Sequence, residues 1–200
     1  MEKPYSKTDL DAALRVLRAG GIILYPTDTV WGIGCDATNS AAVRRIYALK
    51  RRSDSKSMLV LTAGVSPVPA TVQPAVAAVP ATPRSETMQQ GVRNERPTTY
   101  IYPHVTGVAP ELIAEDGSLG IRVTKEAFSK ALCDGLGKPI VSTSANISGE
   151  PTAKNFSQIS EAIRQGVDYI CEYRREDEEE KMPSRIVKIM EDGSEVVIRE

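Results

Sequence analysis

Histidine is almost missing: His104 is the only one in 200 residues. That argues against a His-centred catalytic triad and against a multi-His metal site. His104 itself, just past an expected strand, reads as a surface residue. Cysteine is scarce and odd in number, with Cys35, Cys133 and Cys171 far apart and no CxxC pair. This argues against a disulfide or zinc framework and for reduced thiols in a cytoplasm. Long apolar runs are lacking, and none approaches the roughly 18 residues of a membrane span. The start, MEKPYSKTDLDAALRVLRAGG, is charged and amphipathic and lacks the apolar core of a signal peptide. The expected location is therefore cytoplasmic, with no membrane contact and no role for the sequons at Asn146 and Asn155. Excess charge of one sign is lacking too. Lys and Arg number 25 against 26 Asp and Glu, for a net charge of −1, so a nucleic-acid or phosphate site must be a local patch. No Walker A motif occurs, and a nucleotide site here is not a P-loop.

What is present is ordinary globular material. An apolar fraction of 41% and a charged fraction of 26% suit a single domain spanning 1–200. A chain of this size buries about 70% of its unfolded surface. Leu10, Ala13, Leu14 and Leu17 recur at helical spacing and predict a helix over 8–19, stopped by Gly20-Gly21. Residues 22–25 read as a buried strand, broken by Pro26-Thr27-Asp28-Thr29. Thr38-Asn39-Ser40 predicts an N-cap for a helix that carries Val43, Ile46, Tyr47 and Leu49 and ends in Lys50-Arg51-Arg52. Strands are expected at 58–61, 98–102, 119–123, 139–141 and 168–173, and helices at 125–136 and 157–165. A closing hairpin pairs 184–190 with 195–199 around Asp192-Gly193. Alternating strands and helices predict an α/β fold with a mixed sheet.

One stretch is abnormal. Residues 63–83 hold six Ala, five Val and five Pro, and no charged residue. So many prolines exclude a continuous helix or a central strand. Alone it reads as a low-complexity linker, yet a loop this long is out of place inside a compact domain. The atypical Ala/Pro/Val-rich segment extends over 63–90. Its abrupt change of composition is what a local reading-frame slip or sequence error would produce, and re-sequencing the coding DNA would tell either from an authentic segment.

Three segments gather polar groups where an element has just ended, the first and third after a strand, the usual ligand position in open α/β sheets. The first, Tyr25-Pro-Thr-Asp-Thr-Val-Trp-Gly32 and on to Ala37, offers the hydroxyls of Thr27 and Thr29 and two glycines that admit close backbone approach. A tight turn explains it equally well. Its G-x-G-x-x-A match does not sit at a strand-to-helix turn and is rejected as a dinucleotide fingerprint. The second, Lys50-Arg-Arg-Ser-Asp-Ser-Lys56, sets four cations in seven residues. They suit a phosphate clamp, or simply answer a helix dipole. The third, Ser142-Thr-Ser-Ala-Asn-Ile-Ser-Gly149, concentrates donors and acceptors suited to a carboxylate, an amino group or a ribose, or forms an Asx/Ser turn.

In this order the three segments resemble the YrdC family of threonylcarbamoyl-AMP synthases, in its short, TsaC-like single-domain form. Leu119-Gly-Ile-Arg-Val123 and Ser184-Arg-Ile-Val187 are similar to further family segments, and the resemblance covers about 1–62 and 96–200. It implies a twisted mixed parallel/antiparallel sheet flanked by helices, with a concave, positively lined cavity. It implies an L-threonylcarbamoyladenylate synthase, a nucleotidyltransferase that condenses L-threonine, bicarbonate and ATP with release of pyrophosphate for tRNA modification. Lys50 and Arg52 are the implied catalytic pair. Lys50, Arg52, Lys56, Thr99, Ser144, Asn146, Thr152 and Arg199 are the implied ATP contacts. Thr29, Arg122, Ser142 and Ser184 are the implied threonine contacts. Mg²⁺ is expected through ATP rather than through protein side chains. A tRNA-modifying transferase is the expected partner, with direct contact to tRNA or double-stranded RNA a further expectation. Trp31 stands where the family has Tyr, Ser57 where it has Pro, and 63–90 where it has a charged helix. Two alternatives stay open: an RNA-binding YrdC-like protein without synthase activity, and an inactive variant.

Overall fold

Strands β1 (Ile23–Tyr25) and β2 (Gly32–Gly34) form an antiparallel pair at one side of the molecule. Among the described residues they belong to a mixed sheet of nine strands in the order β7-β1-β2-β6-β3-β5-β4-β8-β9. The remaining strands are β3 (Leu59–Thr62), β4 (Thr98–Tyr102), β5 (Leu119–Val123), β6 (Ile140–Ser144), β7 (Tyr169–Ile170), β8 (Arg185–Ile189) and β9 (Glu195–Arg199). The computed structural model describes residues 5–51, 58–64 and 96–200. Arg52, Lys56 and almost all of the 63–90 segment lie outside the described residues.

Helix α1 (Lys7–Arg18) buries Ala13, Leu14 and Leu17 along one stripe, as the 3.6-residue spacing dictates. Its Asp9 is also buried and accepts the amides of Glu172 and Tyr173 at 3.0 Å and the Tyr169 hydroxyl at 2.7 Å. Helix α2 (Ser40–Lys50) is capped by Asn39, whose side chain accepts the Ala42 amide at 3.1 Å. Helix α3 (Ala127–Leu136) starts two residues later than the sequence predicts, because Glu126 serves as its N-cap. The Glu126 carboxylate takes the amides of Phe128 and Ser129. The helix expected at 157–165 divides into a 3₁₀ turn (Phe156–Gln158) and α4 (Glu161–Gly166). The strand expected at 168–173 is short, since only Tyr169–Ile170 pair with β1.

The alternation of side chains across the sheet separates two apolar layers. Leu24, Ile33, Val60, Ile121, Val141 and Val187 face the larger layer, with Val43 and Ile46 of α2 and Ile163 of α4. Ile23, Tyr25, Leu61 and Ile140 face the other, beneath α1 and α3. Along β6 the second layer runs out. Ile140 lies under the helices, while Ser142 and Ser144, the next residues of the same face, turn polar.

Candidate active site

The end of that helix-covered face is a cavity of about 260 Å³. Its wall is drawn from distant parts of the chain: Thr29 and Trp31 of the β1–β2 loop, Arg122 of β5, Ser142 and Ser144 of β6, Thr152, Ser184 before β8, and Arg199 of β9. Sheet order makes this possible. β6 pairs with β2 on one side, Gly32 opposite Ser144, and with β3 on the other, Leu59 opposite Ser142. Gly32 leaves room there: a Cβ would sit 3.1 Å from Thr27 Cγ2 and 3.3 Å from Ser142 Oγ.

Arg122 is the buried charge of the wall, with 4% of its side chain exposed, and its Nη2 lies 3.0 Å from Asp28 Oδ1. The same nitrogen donates to Thr29 Oγ1 at 3.3 Å. Among the described residues, the buried Arg122 Nε has no hydrogen-bond partner. Thr27 stiffens the loop below: its hydroxyl donates to the Val30 carbonyl at 2.7 Å and accepts the Thr29 amide at 3.0 Å. Across the cavity, Arg199 donates through Nε and Nη2 to the Ser184 carbonyl at 3.0 and 2.6 Å. Burial lowers the Arg199 pKa from its ordinary value, and the neighbouring Arg96 and Arg122 add to that. A second anion would relieve this crowding of cations. Burial also pushes the Tyr25 phenol well up, so it stays a neutral hydroxyl under the cavity floor.

All four expected threonine contacts, Thr29, Arg122, Ser142 and Ser184, thus line one hollow, together with Ser144, Thr152 and Arg199 from the expected ATP set. Three others sit elsewhere. Lys50 is 1% exposed and is not in the wall. Its ammonium donates to the carbonyls of Ser144 and Asn146, because α2 ends against the turn that follows β6. Thr99 is 2% exposed and meets the Ser184 hydroxyl at 2.9 Å, so it supports a wall residue. The Asn146 amide donates to the carbonyls of Ile147 and Glu150 at 3.0 and 2.7 Å, closing its own turn. Sequence reasoning missed Asp28 as the partner of Arg122. Only the folded structure reveals it, since the β1–β2 loop reaches across the ends of β6 and β3 to β5. His104 is 44% exposed, 3.3 Å from Glu191.

The fold is an α/β domain whose mixed sheet carries an arginine- and hydroxyl-lined hollow, with charge and donors suited to an anion, at the end of its helix-covered face. The chain belongs to the Sua5/YciO/YrdC family, whose model, described as "Telomere recombination", matches residues 15–200. It is 35% identical over 165 residues to the threonylcarbamoyl-AMP synthase of Xanthomonas campestris pv. campestris, covering 82% of this chain and 85% of that protein. It is 36% identical over 158 residues to the synthase of Nitrosococcus oceani, covering 79% and 82%. Among solved structures, P. abyssi Sua5 complexed with L-threonine superposes with a TM-score of 0.81 at 21% identity. That match covers 98% of this chain and only 55% of the Sua5 chain. E. coli YciO superposes with a TM-score of 0.79 at 22% identity, covering 100% and 92%. These likenesses show the fold. Among the described residues, no helix is long and apolar enough to cross a membrane.

Proposed function

We propose that this chain is an L-threonylcarbamoyladenylate synthase, a nucleotidyltransferase that acts in the cytoplasm on L-threonine, bicarbonate and ATP. The observation that carries the reading is Arg122: a buried guanidinium in the cavity wall, in one hollow with the hydroxyls of Thr29, Ser142 and Ser184. The carboxylate of an amino acid answers such a guanidinium with charge-assisted hydrogen bonds. The relatives named threonylcarbamoyl-AMP synthase and the Sua5 structure with L-threonine support the same assignment.

In this reading the threonine carboxylate rests on Arg122, with the hydroxyls of Thr29, Ser142 and Ser184 about it. The amine of threonine condenses with bicarbonate, losing water, to give a carbamate. A carbamate oxygen attacks the α-phosphorus of ATP, and the bond to the β-phosphate oxygen breaks to release pyrophosphate. Arg199, Ser144 and Thr152 face the nucleotide, and Arg199 offsets charge building on the leaving phosphates. Lys50 contributes by holding the Ser144–Asn146 turn. The wall offers hydroxyls and arginines, a donor set that suits magnesium carried in by the phosphates as MgATP. The chemistry is then mainly positioning and electrostatics. The threonylcarbamoyl group passes to tRNA through a partner transferase.

The test is pyrophosphate release with each substrate omitted in turn. Release should require threonine, bicarbonate and ATP together, and Arg122→Ala should lower it about 100-fold or more. No release from the wild-type chain, together with steeply salt-dependent RNA binding, would replace this reading with an RNA-binding one.

A further inference from the structure

Arg122 does not face the cavity as a bare cation. Asp28 stands 3.0 Å from its Nη2, and the side chains are 9% and 4% exposed. Asp28 is not part of the wall, so it acts on a ligand through its field rather than by contact. In a poorly solvated site that field reaches across several ångströms. A simple carboxylate approaching Arg122 is attracted by the guanidinium and repelled by Asp28. A ligand that carries an ammonium beside its carboxylate escapes this penalty, because its positive end lies in the same field.

Two further observations bear on the pair. Thr29 Oγ1 meets Arg122 at 3.3 Å and Thr27 Oγ1 at 3.0 Å, which pins the loop that carries Asp28. Asp28 Oδ1 is buried and, among the described residues and despite its ionic neighbour, makes no aligned hydrogen bond. A buried carboxylate oxygen left this way is a standing attraction for further positive charge.

We propose that Asp28 is a specificity-determining residue that makes the cavity select an amino-acid zwitterion over the same acid without its ammonium. This deepens the reading above and rests on an amino-acid site at Arg122.

The test titrates two ligands into the full chain by calorimetry: L-threonine and 3-hydroxybutyrate, which is threonine without its amino group. The wild-type chain should prefer threonine by at least about tenfold, the scale expected of one screened charge at this range. Asp28→Asn keeps the shape and removes the charge. It should cut that preference about tenfold, weakening threonine and strengthening 3-hydroxybutyrate. Asp28→Glu should keep most of the preference. An unchanged preference in Asp28→Asn overturns the proposal while leaving the amino-acid site standing. If thermal melting shows that Asp28→Asn does not fold, the wild-type comparison decides, and equal affinity for the two ligands overturns it. A wild-type chain that binds neither ligand removes the amino-acid reading and this inference with it.

Discussion

The ammonium of Lys50 lies 2.7 Å from the carbonyl oxygen of Asn146, 96 residues further along the chain. It also donates to the Ser144 carbonyl, and the Ser148 amide returns a bond to the Lys50 carbonyl at 2.9 Å. The end of α2 and the turn after β6 are therefore stitched together beneath the cavity. Lys50→Met should strip two partly buried carbonyls of their donor and destabilise the fold by about 2–4 kcal/mol. Denaturant unfolding reads the loss. The ATP KM should rise with it, because Ser144 belongs to the wall. A variant of unchanged stability that loses only ATP affinity would instead make Lys50 a direct phosphate ligand.

Gly34 is the tightest point of β2. A Cβ there would lie 2.6 Å from both Tyr25 Cε1 and the Val141 carbonyl oxygen. The second of these is backbone of a paired strand and cannot move aside. Gly34→Ala should cost about 1–3 kcal/mol, as overpacking does, and lower the thermal midpoint accordingly. Gly32→Ala meets looser neighbours and should fold, with its damage confined to threonine binding beside Ser142.

Acid should loosen the protein through surface carboxylates. Hydrogen bonds from Ser118 and Lys188 hold Asp116 down to about 2, and the Arg45 guanidinium holds Asp168 below its ordinary value. Both groups bind protons more weakly folded than unfolded. Their contribution is therefore complete above the unfolded carboxylate value of about 4 and is lost as pH falls toward about 2. Urea midpoints followed from pH 6 downward should drop in that window. Asp116→Asn should flatten the drop, whereas a decline already complete above pH 5 would implicate other groups.

The three cysteines should be silent toward thiol reagents in the native state. Cys35, Cys133 and Cys171 are free and buried, and burial raises every one of these thiols, Cys133 to about 12. Thiolate is the reactive form, so labelling at pH 8 should await unfolding. Rapid labelling of a native cysteine would show that its layer opens.

Much of the fold was legible because its elements obey simple periods. The stripe of α1, the Asn39 cap of α2 and the hairpin around Asp192-Gly193 all lie where the sequence puts them. β2 was not legible, since Gly-Ile-Gly has neither strand propensity nor alternation. It is a strand because β1 and β6 close on it from both sides. The hydroxyl wall at Ser142 and Ser144 could be read from the end of an apolar strand. The burial of Lys50 could not, because one lysine of a cationic run looks like the next until the packing of α2 against the β6 turn is known. The pairing of Asp28 with Arg122 depends likewise on the path of the β1–β2 loop, which crosses two intervening strands.

One consequence of the strand order concerns time rather than stability. The Ile22 amide donates to Asp168 Oδ2 at 2.7 Å across 146 positions of sequence, and β1 has β7 as its outer neighbour. That margin of the sheet closes only once segments from opposite ends of the chain meet. Such late, distant closure slows folding toward the millisecond-to-second range. The order in which amides gain protection during refolding should place the β1–β7 seam among the last to form.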